Sequence, residues 1–501
     1  MIAHAGLLVA GGLVVDPQSG TADRKDLLIE DGKIAAIGAP GTLVTGAARR
    51  HDARDRLIVP GLVNAHTHGH ANLMKGVADA WTLEASLTNG PWLAGTRDPQ
   101  MIYLSTLLGA IDMLSKGCTA CFDLVYEFPR PTRDGFAAAA RAYADAGMRA
   151  VLAPMVADQS LFQSIPGLAG ALPRDLGKAV GEFSLAKGDR TLAAVEEIVA
   201  DRANLPDGVT LAIAPTIPHH CSERFLRDCM DLADRHQLPI HMHIAESRLQ
   251  AVVARKLYGR SAVRYLNDFG MLRPGFTAAH CVWIDEYDLD LLAEQGCSIA
   301  HIPASNFRLG SGVAHVRPML ERGINVGLAT DGANSSDSLS MLQAMRLASF
   351  GARVFAGSRD GWLQAAETLR LATQGGAKIL GLESCGRIAQ GACADLALFD
   401  LGHVDFIPDT DSINQLVTCA DSASVTDVMV GGVFKVRERK VVSIDTSDLR
   451  GRIRESTARL AATARDARNL ASRLEPHVVA FADSMAKEPL TIERYIRPEQ
   501  R

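Results

Sequence analysis

Apolar runs of strand length along this chain repeatedly end in polar side chains that can do chemistry. Four such runs are Leu57–Val63 before His66 and His68, Leu238–Ile244 with His243 inside it and Glu246 after it, Phe276–Ala279 before His280, and Asn325–Thr330 before Asp331. Each is followed by sequence of helical character, and parallel α/β folds keep their active sites at the carboxyl ends of their strands. The pattern therefore predicts that these side chains meet at one edge of a parallel sheet.

The spacing of the first pair adds a specific hypothesis. His66 and His68 are two residues apart, so in a strand both imidazoles point to the same face and can converge on one metal ion. Taken alone, the pair is equally compatible with two hydrogen-bonded polar side chains. His280 taken alone is compatible with a core histidine, and Asp331 with a cap on the turn before Gly332.

Alternation of strands and helices predicts the fold class. Helical spacing runs through Met101–Lys116, Asp134–Ala146 and Ser222–His236, between apolar runs of strand length. Eight candidate parallel strands end at His68, Asp123, Pro154, Pro215, Glu246, His280, Pro303 and Asp331. Eight βα units favour an α/β fold of the closed (β/α)8 type, a TIM-like barrel.

Both flanks of this region have a different pattern. Short β runs separated by turn residues such as Asp31-Gly32 occupy residues 6–59, and similar runs return at Ala394–Asp400 and Val425–Val436. We predict one small β-sandwich built from both flanks. The predicted domains are residues 1–59 and 386–447 for the sandwich and residues 60–385 for the catalytic barrel.

Residues 448–501 are predicted to form a helical C-terminal extension. Ile453, Leu460, Ala467, Leu470 and Leu474 recur at helical spacing, and a break is expected near Pro476. Acidic residues are interleaved with the arginines of this segment, which favours a solvated helix face over a nucleic-acid-binding patch. We expect the apolar stripe to pack on the barrel or on a second subunit.

Composition excludes several functional classes. The chain has 501 residues, 47% of them hydrophobic, and a formal net charge of −5, which gives no general attraction to nucleic acid or to anionic membranes. No apolar run is long enough to span a bilayer, and the first residues lack the features of a secretory signal, so a cytoplasmic location is expected. Nine cysteines without a framework are typical of reduced thiols.

The motifs together resemble the amidohydrolase superfamily, in its cytosine-deaminase-like branch that holds chlorohydrolases and deaminases. The resemblance covers roughly residues 6–444. It is carried by Val59-Pro60-Gly61-Leu62-Val63-Asn64-Ala65-His66-Thr67-His68, His241-Met242-His243-Ile244-Ala245-Glu246, Ala279-His280-Cys281, His301-Ile302-Pro303-Ala304-Ser305-Asn306 and Thr330-Asp331-Gly332.

The resemblance implies a metal site and its chemistry. His66, His68, His243 and Asp331 would hold one divalent metal, with zinc favoured over iron, and Glu246, His280 and Asp331 would handle protons. Such a metal lowers the pKa of a bound water to about 7, so that hydroxide is available at neutral pH. Relatives with two metals add a lysine at a strand end, but Thr210–Pro215 offers none, so we predict a mononuclear site.

The reaction class follows from the same resemblance, and alternatives stay open. We predict an aminohydrolase, or deaminase, acting on a nitrogen heterocycle. The alternative is an amidohydrolase that releases chloride or an alkylamine, or cleaves an amide or urea bond, and a metal-free scaffold is a remote third reading. The His-x-Glu and Pro-Cys-x-x-Cys signature of the other zinc deaminase class is absent from the sequence.

Candidate substrate-binding residues are Thr216, His219, Ser305, Asn306 and Trp92. Adenosine-type members carry a histidine where this chain has Thr216, which argues against a usual nucleoside and moves any imidazole to His219 or His220. The partner is predicted to be a small molecule, and the protein is expected to be a homo-oligomer.

Overall fold

The computed structural model describes residues 6–44, 46–77, 79–90, 92, 97–182 and 184–495. The ends of the predicted flank and extension, residues 1–5 and 496–501, lie outside the described residues. The fold is mixed α/β. Its strands are β1 Leu7–Asp16, β2 Thr21–Glu30, β3 Lys33–Gly38, β4 Arg49–Asp52, β5 Arg56–Pro60, β6 Leu62–His68, β7 Cys118–Val125, β8 Arg149–Val156, β9 Val209–Leu211, β10 Ala214–Pro215, β11 Ile240–Ile244, β12 Phe276–His280, β13 Ser298–His301, β14 Asn325–Leu328, β15 Asp331–Gly332, β16 Leu396–Asp400, β17 Val425–Val430, β18 Val433–Arg437 and β19 Lys440–Val441.

Helices fill the connections and the C-terminal part. They are α1 Leu83–Thr88, α2 Pro99–Leu114, α3 Arg133–Ala146, α4 Leu161–Ser164, α5 Leu168–Ala171, α6 Arg174–Glu182, α7 Gly188–Ala200, α8 Glu223–His236, α9 Arg248–Tyr258, α10 Ala262–Asp268, α11 Glu286–Glu294, α12 Pro303–Arg308, α13 Val316–Glu321, α14 Met341–Phe355, α15 Ala365–Arg370, α16 Gly376–Ile379, α17 Ser412–Thr418, α18 Leu449–Thr463 and α19 Arg465–Ala486. Among the described residues, no helix is both long enough and apolar enough to cross a bilayer.

Strands from both flanks join in one nine-stranded sheet. Its order is β19-β18-β17-β16-β5-β1-β2-β3, with β4 beside β1. The flanks meet where β5 pairs antiparallel with β16, Leu57 opposite Phe399. Leu7–Ala10 and Gly12–Val15 belong to one strand, β1, which has a register shift between Val9 and Gly12, where Gly11 has a positive φ of 75°.

The middle of the chain forms two parallel sheets. One has the order β10-β8-β7-β6-β15 with β9 beside β8, and the other has the order β11-β12-β13-β14. A parallel bridge between Ile213 and Ile240 links them at one side. At the other side, only two residues of the chain separate β14 from β15. β14 pairs with β13 of the second sheet, and β15 pairs with β6 of the first. Strands occur at all eight predicted positions.

Small residues let a helix approach these strands closely. A Cβ added to Gly375 would lie 2.0 Å from the backbone oxygen of Val326, and one added to Gly376 would lie 2.7 Å from that of Val63. Val63 lies in β6, which carries His66 and His68, and Val326 lies in β14, which Asp331 follows after two residues. This packing therefore sets the distance between helix and sheet behind the site.

Gly375→Ala is therefore expected to destabilise the protein. Overpacking of this kind costs about 1–3 kcal/mol, because strand backbone cannot move aside as a flexible side chain can. Gly170→Ala is the matched control, since a Cβ there meets nothing within 4 Å. Thermal unfolding of both variants checks the prediction. A melting temperature of Gly375→Ala equal to that of the wild type would contradict it.

The C-terminal extension is helical, but its break differs from the prediction. The break lies at Ala464, between α18 and α19, and α19 runs through Pro476 without ending there. Leu474, Val478 and Ala482 are buried on both sides of the proline, so tertiary packing holds the helix together where one backbone hydrogen bond is lost. Ile453 is only half-buried, whereas Leu460 is buried as predicted.

Candidate metal centre and active site

Three imidazoles converge at the carboxyl ends of two strands. His66 and His68 end β6, and His243 lies near the end of β11. The Nε2 atom of His68 is 3.2 Å from that of His66 and 3.3 Å from that of His243. The pleat explains this, because alternate residues of β6 face the same side.

A carboxylate completes the cluster. β15 pairs with β6 so that Asp331 lies opposite Thr67 and Gly332 opposite His68. Oδ1 of Asp331 is 3.2 Å from Nε2 of His68 and 3.6 Å from Nε2 of His66. Its other oxygen, Oδ2, accepts a hydrogen bond of 2.6 Å from Ser305 Oγ, which fixes the carboxylate's orientation.

The outer nitrogens of the imidazoles are held by other groups. Nδ1 of His68 is 3.0 Å from the backbone oxygen of Leu124, and Nδ1 of His243 is 2.7 Å from that of Thr216. A carbonyl oxygen only accepts, so both Nδ1 atoms donate, and in the neutral rings both Nε2 atoms carry lone pairs. Nδ1 of His66 lies 3.0 Å from Nε2 of His241.

This donor set fits a metal ion. Lone pairs 3.3 Å apart repel each other unless a cation lies between them, and ordered Nδ1 partners are typical of metal-ligating histidines. Burial lowers the pKa of His66 to about 4 and that of His243 well below its ordinary value, so both imidazoles are neutral as ligands must be. Burial also acts to lower the pKa of His68, but hydrogen bonding to the Asp331 carboxylate raises it overall.

A second pair of titratable groups faces the cluster. Nε2 of His280 is 3.4 Å from Oε2 of Glu246, and both side chains are buried. Glu246 Oε1 and His280 Nε2 have no hydrogen-bond partner among the described residues. Unpartnered buried polar atoms are costly, and at a cavity wall they are typical of groups that a ligand engages.

Burial sets the protonation of this pair. Burial and the nearby Asp331 carboxylate raise the pKa of Glu246 well above its ordinary value, which favours the protonated acid. Burial also lowers the pKa of His280, which favours the neutral imidazole. Nδ1 of His280 lies 2.9 Å from Oδ1 of Asn306, so the proton of the neutral ring sits on Nδ1 and Nε2 is an acceptor.

The backbone at the strand ends is turned sharply. Ala245, His280, Cys281 and Asp331 all have positive φ, between 48° and 68°. These are uncommon conformations for residues with a side chain, and they cluster where the chain leaves the strands. The turns direct the functional side chains toward one point above the sheets.

A cavity of about 200 Å³ opens beside these groups. Thr216, a candidate substrate-binding residue in the sequence, lines it together with His220. His219, Ser305, Asn306 and Trp92 are not among its described lining residues. Ser305 and Asn306 instead hold Asp331 and His280, and Trp92 packs beneath the extension with Arg468 over its ring.

Several lining residues have no clear signal in the sequence. His70, Asn334 and Ser335 line the cavity although they belong to none of the predicted strands. His220 is adjacent to the predicted His219, and both belong to the short turn Pro218–His220. All nine cysteines lie in the part of the chain that the structure describes, and none is in a disulfide.

Comparison with known proteins identifies the fold family. The amidohydrolase family model matches residues 57–435, more than half of the chain and every residue of the cluster. The chain belongs to the amidohydrolase family. The resemblance seen in the motifs is thereby confirmed, and the protein is a metal-dependent hydrolase that acts on carbon–nitrogen bonds.

Amidohydrolases similar to this one include named deaminases. A 5-methylthioadenosine/S-adenosylhomocysteine deaminase of Desulforamulus reducens is 31% identical over 463 residues, covering 91% of this chain and 99% of the relative. A 5'-deoxyadenosine deaminase of Methanothermobacter thermautotrophicus is 32% identical over 434 residues, covering 86% of this chain and 93% of the relative.

Solved structures agree with the overall fold. An adenosine deaminase from Xanthomonas campestris with bound zinc has a TM-score of 0.80 and 27% identity, and covers 91% of this chain and 98% of its own. An atrazine chlorohydrolase from Arthrobacter aurescens complexed with zinc has a TM-score of 0.79 and 26% identity. The match covers 91% of this chain and 100% of the chlorohydrolase.

Proposed function

We propose that this amidohydrolase is a mononuclear zinc aminohydrolase that replaces an amino group on a nitrogen heterocycle with oxygen. The observation that carries the proposal is the convergence of three histidine Nε2 atoms and Asp331 beside a buried Glu246–His280 pair. The named deaminases among the relatives and the zinc in both similar structures support it.

His66, His68, His243 and Asp331 are the proposed metal ligands. When bound, the metal supplies Lewis acidity and makes a water molecule nucleophilic near neutral pH. The sequence Thr210–Pro215 at β9 and β10 carries no lysine that could bridge a second ion, which supports one metal per chain.

The protein groups then divide the proton transfers. Glu246, protonated because of its raised pKa, donates its proton to a ring nitrogen of the heterocycle, which makes the neighbouring carbon more electrophilic. His280, neutral and oriented by Asn306, accepts a hydrogen bond at Nε2 from the attacking water. Asp331 takes the water's proton and passes it to the departing amino group, which leaves as ammonia. Glu246 regains its proton from the new hydroxyl group as the ring carbonyl forms.

We further propose that the two parallel sheets form one closed (β/α)8 barrel, residues 60–385, and that residues 1–59 and 386–447 form the β-sandwich. The Ile213–Ile240 bridge and the succession of β14 and β15 support closure. A small-molecule substrate, a cytoplasmic location and a homo-oligomeric state remain part of this proposal.

The reaction itself is tested by ammonia release. We expect the zinc-loaded protein to release ammonia from at least one aminated purine, pterin, pyrimidine or triazine, and His280→Ala to abolish the release, because the attacking water loses its acceptor. The similarity to an atrazine chlorohydrolase favours carbon–chlorine hydrolysis as the second candidate. Chloride release from a chlorotriazine without ammonia release from any amine would replace the deaminase proposal with that alternative.

A further inference from the structure

The cavity has two chemically different halves. We call the part of its lining formed by the polar site residues His243, Glu246 and Asp331 the inner half. The part formed mainly by aliphatic and aromatic side chains is the outer half. Attack on an aminated ring engages only the inner half. The outer half is therefore available to bind a part of the substrate that does not react.

The C-terminal extension forms one wall of the outer half. Leu470, Ala471 and Leu474 of α19 line the cavity, and Phe162 and Val180 line it from the segment that carries α4 and α6. Leu470 and Leu474 share one apolar cluster with Phe162 and Val180. The family model ends at residue 435, so this wall lies beyond the part of the chain that defines the family.

Polar contacts fix the extension to the segment that carries Glu246. Arg248, two residues after Glu246, donates from Nε to the backbone oxygen of Ala486 at 2.5 Å and from Nη2 to that of Glu488 at 3.0 Å. Asn89, just after α1, donates to Glu475 Oε2 at 3.2 Å. The extension is thus hydrogen-bonded both to the segment that follows Glu246 and to the residue that follows α1.

We propose that α19 is a specificity wall that selects heterocycles carrying an apolar substituent, such as an alkyl, aryl or thioether chain, on the side of the ring away from the reacting amino group. This inference rests on the proposed function for the reacting end of the substrate. Leu470 and Leu474 contact the substituent, whereas the metal cluster and Glu246 contact the ring.

Matched leucines in the extension test this proposal. Leu474 and Leu460 are equally buried, 3% and 4% exposed, but only Leu474 lines the cavity, while Leu460 packs with Trp92. Leu474→Ala and Leu460→Ala remove the same atoms from the core, so they separate substrate contact from general stability. Leu470→Ser is a second wall variant at a half-buried position, where folding tolerates the change more easily.

The first measurement compares 9-methyladenine with 9-butyladenine as substrates of the zinc-loaded protein. Each buried methylene group contributes about 0.8 kcal/mol, or roughly four-fold in affinity, so the wild type is expected to prefer the butyl compound by at least about ten-fold in kcat/KM. Leu474→Ala and Leu470→Ser are expected to lose most of this preference through KM. Leu460→Ala is expected to keep the wild-type ratio.

The second measurement needs no turnover. Calorimetric binding of 9-methylpurine and 9-butylpurine, which lack the amino group, is expected to show the same preference and the same loss in the two wall variants. Failure of ammonia release from every amine of the panel given under Proposed function, with a preserved binding pattern, would reject the deaminase proposal and keep the wall. Equal binding of both purines by the wild type, or equal effects of Leu474→Ala and Leu460→Ala on the ratio, would overturn the wall.

Discussion

His243→Ala is expected to leave the purified protein with less than about a tenth of its metal and with no measurable hydrolysis. The imidazole of His243 contributes one of the three Nε2 atoms of the cluster, and a small side chain cannot replace it. The variant leaves two histidines and one carboxylate, one ligand fewer than the wild type. Because this reduced set binds zinc more weakly, metal retention and activity should fall together. Metal analysis by mass spectrometry after dialysis checks the stoichiometry, which should be about one ion per wild-type chain.

His241→Ala is the control for this experiment. His241 lies on the same strand and is equally buried, but it touches the cluster only through Nδ1 of His66, 3.0 Å away. Loss of such an outer partner typically weakens metal binding by about 10–100-fold without removing a ligand. Metal loss that is as complete in His241→Ala as in His243→Ala, or two tightly held metals in the wild type, would contradict the proposed ligand set.

The positions of the cluster residues could be predicted because strand ends are local features. His66, His68, His243, His280 and Asp331 each follow an apolar run, and parallel strands bring such positions to one edge whatever the loops do. The prediction therefore did not depend on how far apart these residues are in the sequence, up to 265 residues from His66 to Asp331. Sheet register, which is set by alternation of buried side chains, then brings Asp331 beside His68.

The roles of Ser305 and Asn306 could not be predicted from the same pattern. Both follow β13 in the short helix α12, and the direction of a side chain after a strand depends on how that helix turns. The structure directs Ser305 to Asp331 and Asn306 to His280 rather than into the cavity. Similarly, the pattern identified a histidine pair after β10 but contained nothing to distinguish His219 from the cavity-lining His220.

In the C-terminal extension, the sequence predicted the helical stripe but not the surface on which it packs. Helical spacing predicted the apolar stripe of Leu460, Leu470 and Leu474, since periodicity is local. Its docking partner depends on contacts between residues about 300 positions apart, such as Leu474 with Leu172. The same long-range packing carries α19 past Pro476, where local propensity alone predicts a break.

Glu246→Gln is expected to reduce turnover by at least about 100-fold while the metal stays bound. The glutamine has nearly the same size and keeps one oxygen, but it cannot donate a proton to the ring nitrogen or recover one. The raised pKa of Glu246, caused first by its burial and then by Asp331, is what makes the side chain an acid near neutral pH, and the amide has no such titration. The loss should appear in kcat more than in KM, since the proton moves in the transition state.

Glu84→Gln provides the matched control for this acid. Glu84 is also buried, and burial raises its pKa too, but its Oε1 accepts a hydrogen bond of 2.8 Å from Ser247 Oγ and it is not among the described residues that line the cavity. A glutamine there keeps the accepting oxygen, so activity should stay within a few-fold of wild type. Steady-state kinetics and metal content of both variants test the role of Glu246. If Glu246 is the proton donor at the reacting centre, Glu246→Gln should lower kcat far more than Glu84→Gln does. Comparable turnover in the two variants, with metal retained in both, would assign Glu246 a structural role and leave the ring without an identified acid.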